Sequence, residues 1–175
     1  LSLHDALPIY FGSGGGFPGM VIACALKAPA IVHLVESNGK KAEIEYIFAV
    51  GNVFNQPGED FKLFIEDSQT EETKNKVKEF CPQYDLIFID GDHSYEGVRK
   101  DFELYQELLS PRGYIVFHDI DPEHVFRDGP GGEVYRFWQD INHGSKTNIV
   151  TIKSSGKITC FGQKEHFGGI GLWKP

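Results

Sequence analysis

A buried strand that ends in ionisable side chains constrains the fold of this chain. Leu86 to Ile89 are four consecutive apolar residues, and such a run without polar alternation is typical of a strand covered on both faces. The run ends at Asp90, and a second run, Tyr114 to Phe117, is followed by His118 and Asp119. Parallel strands present their carboxyl ends at one edge of a sheet, where ligands bind in open α/β folds. The two runs therefore predict a ligand site in which both carboxylates share one edge.

Strands alternate with helices along most of the chain. The predicted strands span 9–11, 30–35, 61–65, 86–89 and 114–118, and the predicted helices span 20–27, 40–53, 71–80, 95–109 and 133–141. This order is typical of an α/β fold with a mostly parallel sheet and helices on both faces. Pro111 and Gly113 are expected to end the helix from 95. Three later candidates at 148–153, 157–161 and 170–173 predict an antiparallel addition, with a turn over 154–156 between the first two.

Composition limits the classes of partner. The chain of 175 residues fits one domain, and we expect a soluble protein because no apolar run approaches the roughly 20 residues that cross a bilayer. A formal net charge of −8 disfavours nucleic acid, since phosphate backbones attract clustered Lys and Arg. Cys24, Cys81 and Cys160 lack the close pairing of zinc ligands and indicate reduced thiols in the cytoplasm. Residues 1–9 begin without Met and are interpreted as a leader foreign to the domain.

A glycine-rich turn follows the first predicted strand. Gly12, Gly14 and Gly16 lie in this turn, and glycine permits positive φ and a close approach of a ligand to the backbone. The next predicted strand ends at Glu36, and an acid at that place can accept hydrogen bonds from both hydroxyls of a ribose. The pattern favours a nucleoside cofactor. The alternative is a glycine loop and an acid in an unrelated turn.

These motifs resemble two branches of the class I S-adenosylmethionine-dependent methyltransferases. Residues 12–19 with 34–41 are similar to the cofactor half of the bacterial 16S ribosomal RNA guanine-N7 methyltransferases. Residues 61–174 resemble O-methyltransferases related to the macrocin and mycinamicin sugar methyltransferases and cephalosporin-cluster enzymes, through the segments 88–98, 117–119 and 168–171. The resemblance implies a Rossmann-like fold, truncated at its N-terminus. The mixed signature suggests a reading frame that joins two genes.

The resemblance also implies a cofactor site. The glycine turn would pass beneath the methionine part of S-adenosylmethionine, Glu36 would hold the ribose, and Asp67 with Ser68 would meet the adenine. The acid that the family carries two residues before the first glycine is replaced by Tyr10. The full set of implied cofactor-binding residues is Gly12, Ser13, Gly14, Gly16, Glu36, Asp67, Ser68 and Asp90.

A metal ion and a base are implied in the same way. In the sugar-methylating relatives, carboxylates after strands four and five hold Mg²⁺, and a His shortly after the first acts as base; the matching residues are Asp90, Asp119 and His93. Mg²⁺ prefers such oxygen ligands, and a His can take the proton of a metal-bound hydroxyl that attacks the methyl group. His118 completes the metal set, although imidazole suits a transition metal better. The alternatives are an N-cap or loop role for His93 and a capping role for Asp92.

The sequence therefore predicts methyl transfer to a hydroxyl of a small-molecule partner such as a sugar or polyol, with divalent-metal assistance. Two other functions stay open. The N-terminal motif favours methylation of ribosomal RNA, which the acidic charge opposes. Tyr10 at the place of the family acid favours a non-catalytic protein that binds the cofactor.

Overall fold

The computed structural model describes residues 8–12, 31–37, 60–120, 133–150, 159–160, 163–164 and 169–175. The strands are β1 Pro8–Phe11, β2 Ile31–Val35, β3 Asp60–Phe64, β4 Tyr84–Ile89, β5 Leu109–His118, β6 Ser145–Val150, β7 Thr159–Cys160, β8 Gln163–Lys164 and β9 Ile170–Lys174. The α-helices are α1 Glu71–Phe80, α2 Tyr95–Tyr105 and α3 Val134–Asp140. No helix among these residues is long and apolar enough to cross a bilayer.

A seven-stranded sheet organises the fold, in the order β3-β2-β1-β4-β5-β9-β6. The first five of these strands pair in parallel, and β9 pairs antiparallel with both β5 and β6. The strand order reverses at β1, which lies between β2 and β4. Such a reversal opens a crevice at the carboxyl ends of the neighbouring strands. The predicted α/β class with an antiparallel addition is confirmed.

The core lies between the sheet and α2. Phe102 of α2 packs edge-on against Trp173 of β9 at 4.9 Å between ring centroids, and Tyr105 packs on Phe11 of β1 at 4.2 Å. The sequence places Val98, Phe102, Tyr105, Leu108 and Leu109 on one apolar face, and all five are buried. Burial of Val98, Phe102 and Tyr105 fixes α2 against the central strands, so the loop that precedes α2 lies over the sheet edge.

Hydroxyl caps fix the starts of α1 and α2. Thr70 accepts the N–H of Thr73, and Ser94 accepts the N–H of Gly97 at 3.0 Å. The sequence predicts a helix over 71–80 with Thr70 as its cap, and the structure confirms both. A Cβ at Gly97 would lie 2.3 Å from Cγ of Asp92, so the first turn of α2 is seated directly against the loop after β4.

Two predictions about element bounds are wrong. The helix from 95 ends at Tyr105, a 3-10 turn covers Gln106–Leu108, and Pro111 and Gly113 lie inside β5. A register shift opposite Tyr84 and Leu86 accommodates this stretch, because an irregular pair needs no hydrogen bond from proline.

Among the described residues, β6 pairs with β9, and Thr159–Cys160 pair with Gln163–Lys164. Insertion of β9 between β5 and β6 buries Trp173, which stabilises the antiparallel addition. The predicted helices 20–27 and 40–53 and the turn 154–156 lie outside the described residues. Pro8 and Ile9, assigned to the leader, form the first half of β1.

Candidate functional site

A cavity of about 420 Å³ opens at the crevice beside β1. Backbone hydrogen bonds hold its floor: Gly12 donates to the carbonyl of Val35, and Asp90 donates to that of Phe11. Five of the predicted cofactor-site residues line this cavity together, and Ser13, Gly14 and Gly16 lie outside the described residues. The lining consists of Gly12, Val35, Glu36, Ser37, Asp67, Ser68, Gln69, Asp90, Gly91 and Asp92.

Gly12 is required at its position by backbone contact. Its φ is +78°, and a Cβ there would lie 2.2 Å from the carbonyl oxygen of Asp90 and 2.4 Å from Cα of Gly91. Any other residue would push the loops after β1 and β4 apart. The glycine therefore brings these two loops into the direct contact that shapes the cavity.

Asp92 and Gln69 join two loops across the cavity. The side-chain amide of Gln69 donates to Asp92 at 3.2 Å, and the backbone N–H of Gln69 donates to Asp67 at 2.9 Å. Burial raises the pKa of Asp92, but hydrogen bonds from Ser94 and Gln69 outweigh this effect and lower that pKa below its usual range. Ser94, rather than Asp92, caps α2. Sequence reasoning missed Gln69, although its place in the polar loop between β3 and α1 was the available signal.

A cluster of two carboxylates and two imidazoles adjoins the cavity through Asp90. His93 reaches both acids, with Nε2 3.2 Å from Oδ1 of Asp90 and Nδ1 3.2 Å from Oδ2 of Asp119. Nδ1 of His118 lies 3.2 Å from Oδ1 of Asp90 and 2.9 Å from Oδ1 of Asp119. The structure thus brings together all four residues that the sequence assigned to metal binding and catalysis.

Opposite charges stabilise one another in this cluster. Burial raises the pKa of Asp90, but His118, His93 and Tyr10 outweigh burial and bring that pKa to about 2. Burial lowers the pKa of His118, but Asp119 and Asp90 outweigh it and raise that pKa to about 10. At neutral pH the cluster therefore contains the Asp90 carboxylate and a protonated His118.

Asp119 enters the cluster through an unusual backbone conformation. It has a φ of +61°, it is 5% exposed, and its N–H donates to the carbonyl of Gly169 at 3.0 Å. A non-glycine residue with positive φ is uncommon and tends to mark a functional turn. The turn directs the carboxylate back towards His93 and His118 instead of continuing the strand.

Tyr10 occupies the place of the family acid and reaches the same cluster. Its ring is stacked on Phe88 of β4 with 4.5 Å between centroids, and its hydroxyl donates to Oδ2 of Asp90. Burial and the nearby Asp90 carboxylate raise the pKa of Tyr10 well above its usual range, so the hydroxyl stays a donor. Sequence analysis singled out Tyr10 as a departure from the family but did not predict this contact.

The arrangement fits a divalent cation beside a nucleoside cofactor. One ligand atom each from Asp90, His93 and Asp119 all lie within 4.8 Å of one another. Carboxylate oxygens suit Mg²⁺, and the added imidazoles extend the range to transition metals. The cavity offers Glu36 and Asp67 as acceptors for the hydroxyl and amino groups of a nucleoside.

Comparison with known proteins identifies relatives of two kinds. A family model described as a methyltransferase domain matches residues 9–120. An O-methyltransferase from Bacillus cereus in complex with SAH is 17% identical, with a TM-score of 0.66 over 95% of this chain and 72% of that chain. The mycinamycin-pathway methyltransferase MycE, in complex with Mg and SAH, is 16% identical, with a TM-score of 0.53 over 74% of this chain and 31% of that chain.

Curated relatives match only short segments. The ribosomal RNA small subunit methyltransferase G of Bradyrhizobium sp. (strain ORS 278) is 67% identical over 49 residues, which are 24% of this chain and 22% of the relative. An uncharacterized protein of Acanthamoeba polyphaga mimivirus, R132, is 54% identical over 35 residues, 20% of this chain and 16% of the relative. The chain therefore spans less than a quarter of the length of these curated relatives.

Proposed function

Because the chain belongs to the methyltransferase domain family, we propose that it transfers a methyl group from S-adenosylmethionine to a hydroxyl of a small molecule. The observation that carries the proposal is the junction at Asp90, where the nucleoside-sized cavity meets the cluster of carboxylates and imidazoles. A transferase needs its donor and acceptor sites in contact, and one residue here borders both. A sugar or polyol is the proposed acceptor class, because vicinal hydroxyls suit a divalent ion held by carboxylates.

Glu36, Asp67 and Ser68 are the proposed nucleoside ligands, with Gly12 and, from the sequence, Ser13, Gly14 and Gly16 under the methionine part. When bound, S-adenosylmethionine supplies an electrophilic methyl group on a sulfonium. Glu36 follows β2 directly, and its N–H donates to the carbonyl of Phe64 at 2.9 Å, which fixes its backbone at the cavity. The acidic lining also attracts a cationic cofactor.

Asp90 and Asp119 are the proposed ligands of Mg²⁺. A transition metal would also bind His118, after displacing the proton that His118 holds in the metal-free cluster. In support, the neighbour MycE was solved with Mg. The ion would acidify a bound hydroxyl. His93 is the proposed base: Nδ1 faces the buried Asp119, which can hold its N–H, and Nε2 lies 3.2 Å from Oδ1 of Asp90, so Nε2 would exchange this contact for the acceptor hydroxyl and take its proton.

Charge and thiol chemistry favour a small acceptor and a cytoplasmic location. The short matches to ribosomal RNA methyltransferases make RNA the alternative substrate. The formal net charge of −8 disfavours RNA binding, because it repels the phosphate backbone. Cys81 is a buried thiol that donates to the carbonyl of Gln83 at 3.0 Å, as expected in a reducing compartment.

A calorimetric titration with S-adenosylhomocysteine tests the proposal, repeated after EDTA and after added Mg²⁺. We expect binding under all three conditions and a separate Mg²⁺ isotherm only after EDTA removal. Failure to bind S-adenosylhomocysteine would refute the proposed methyl transfer and also the alternative of a non-catalytic protein that binds the cofactor. Binding without any metal isotherm would refute the metal part alone.

Glu36→Ala should weaken S-adenosylhomocysteine binding by about 1.5–3 kcal/mol, the range for hydrogen bonds to a charged group. Glu66→Ala is the matched control, because Glu66 lies two residues after β3, pairs with Lys76 at 2.8 Å and does not line the cavity. Calorimetry on both variants measures the difference. Equal affinities would remove Glu36 from the cofactor site.

Asp119→Asn should weaken Mg²⁺ binding by at least about tenfold, because the ion loses one of its two proposed carboxylates, and it should spare S-adenosylhomocysteine binding. Asparagine tolerates positive φ, so the φ of +61° does not confound the result. Asp140→Asn, which removes an exposed acid bonded to Tyr95, is the control. If both variants bind Mg²⁺ equally, Asp119 is a structural residue of the turn after β5.

A further inference from the structure

We infer that Tyr10 is a positioning residue that holds Asp90 as a one-oxygen metal ligand and so favours a small cation such as Mg²⁺ over Ca²⁺. The inference rests on the proposed metal role of Asp90 and Asp119. Tyr10 stands where the family resemblance implies an acid, and the inference gives this replacement a function in ion selectivity.

Tyr10 is held more rigidly than a surface tyrosine could be. It lies in the central strand β1, paired with Leu34 of β2 and Phe88 of β4, and it is 1% exposed. Its ring is stacked on the Phe88 ring with an interplanar angle of 23°. Because strand pairing fixes the backbone and stacking fixes the ring, the hydroxyl has one position, and that position is at Oδ2 of Asp90.

The two carboxylate oxygens of Asp90 consequently have different surroundings. Oδ2 is occupied by the Tyr10 hydroxyl. Oδ1 faces the cluster, at 3.2 Å from Nε2 of His93 and 3.2 Å from Nδ1 of His118. Only Oδ1 is directed towards the space that Asp90 shares with Asp119. The hydrogen bond from Tyr10 therefore limits Asp90 to one oxygen for an ion in that space.

Ion size translates this restriction into selectivity. Mg²⁺ takes a near-ideal octahedron of single oxygen ligands, whereas Ca²⁺ takes six to eight and often binds a carboxylate through both oxygens. A carboxylate with one oxygen restrained by a buried hydrogen-bond donor therefore suits Mg²⁺. Without the Tyr10 hydroxyl, Asp90 can turn and offer both oxygens, which suits Ca²⁺.

Tyr10→Phe tests the inference, because it removes the hydroxyl and keeps the stacked ring. Mg²⁺ and Ca²⁺ are titrated separately into the cofactor-free protein by calorimetry. Because the freed carboxylate can bind an ion through both oxygens, we expect Ca²⁺ binding to tighten by about tenfold, whereas Mg²⁺ binding, which uses one oxygen in both proteins, should change by less than about threefold. The preference should therefore move towards Ca²⁺.

Tyr84→Phe is the matched control. Tyr84 is a second buried tyrosine of the central sheet, its hydroxyl lies 2.5 Å from Nδ1 of His33, and it does not contact Asp90. This variant should leave both ion affinities unchanged. Tyr10→Met removes the same hydroxyl with a flexible side chain and should reproduce the shift if the Phe variant folds poorly.

Three other outcomes would contradict the inference, and they separate a failure of the Tyr10 role from a failure of the metal site. If wild-type protein binds Mg²⁺ and Tyr10→Phe binds both ions as tightly as wild type does, the positioning role is overturned while the metal site stands. If wild-type protein binds neither ion, the proposed metal function fails and the inference fails with it. If neither Tyr10 variant folds by circular dichroism, Tyr10 is a structural residue of β1 and the inference is abandoned.

Discussion

Asp101→Asn should stabilise the protein by roughly 4 kcal/mol at pH 8 and by less than about 1 kcal/mol near pH 4. Asp101 lies on α2 with no exposed surface, and neither carboxylate oxygen has a well-directed hydrogen-bond partner among the described residues. Burial, aided by Asp92 and Asp67, raises its pKa to about 7, against a smaller opposite effect of Ser68. Ionisation of this carboxyl is therefore costly in the folded state.

The sign follows from the direction of the shift. The folded pKa lies above the unfolded value of about 3.9, so the folded state retains the proton longer than the unfolded state does. The associated stability is complete below about pH 4 and is lost as pH rises through 7. Asparagine stays neutral, so the variant keeps at pH 8 the stability that the wild type has lost.

Urea unfolding of both proteins between pH 4 and pH 8 measures this difference. Comparison within the pair cancels the titration of other groups, including His118 and Asp90. Glu103→Gln is the control on the exposed side of the same helix, where Glu103 pairs with Arg99 at 3.0 Å, and its effect should stay within about 1 kcal/mol at every pH. A constant difference between Asp101→Asn and wild type across this range would show that Asp101 does not titrate in it.

Much of the candidate site could be predicted because parallel strands align their ends. Each apolar run followed by an acid indicated where a strand ends. Parallel pairing of β1 with β4 and of β4 with β5 then places Asp90 and Asp119 at one edge of the sheet. Thr70 likewise indicated where α1 begins, because a cap depends only on the residues beside it. Such features depend on a few neighbouring residues, so the sequence contains them directly.

Contacts between distant residues could not be predicted in this way. The hydrogen bond from Tyr10 to Asp90 joins residues 80 apart and depends on the register of two strands. The positive φ that directs Asp119 inward depends on Gly169, which accepts its N–H. Asp101 left a signal that was overlooked: it follows Val98 by three residues and precedes Tyr105 by four, so it shares the buried face of α2.

His93→Ala should slow methyl transfer to a sugar or polyol acceptor by roughly 10²- to 10⁴-fold, the usual contribution of a positioned base. His93 contacts Asp119 through Nδ1 and Asp90 through Nε2, both at 3.2 Å, so its ring is oriented across the cluster. Single-turnover rates measured against pH provide the test. The wild-type rate should rise with pH as the imidazolium loses its proton, and the variant should lack that rise. His143→Ala is the control, because His143 is an exposed histidine that packs on Trp173.

Metal binding then separates a base from a ligand. As a base, His93 contributes to the rate alone, so His93→Ala retains the Mg²⁺ and S-adenosylhomocysteine affinities of the wild type. If His93 were a metal ligand, His93→Ala would lower both the Mg²⁺ affinity and the rate, since one ligand atom each of Asp90, His93 and Asp119 lie within 4.8 Å of one another. Mg²⁺ prefers oxygen ligands over imidazole nitrogen, and this preference favours the role of His93 as a base. A variant with an unaltered pH profile would instead make His93 an orienting contact between two acids, and the proton would have to leave through another group.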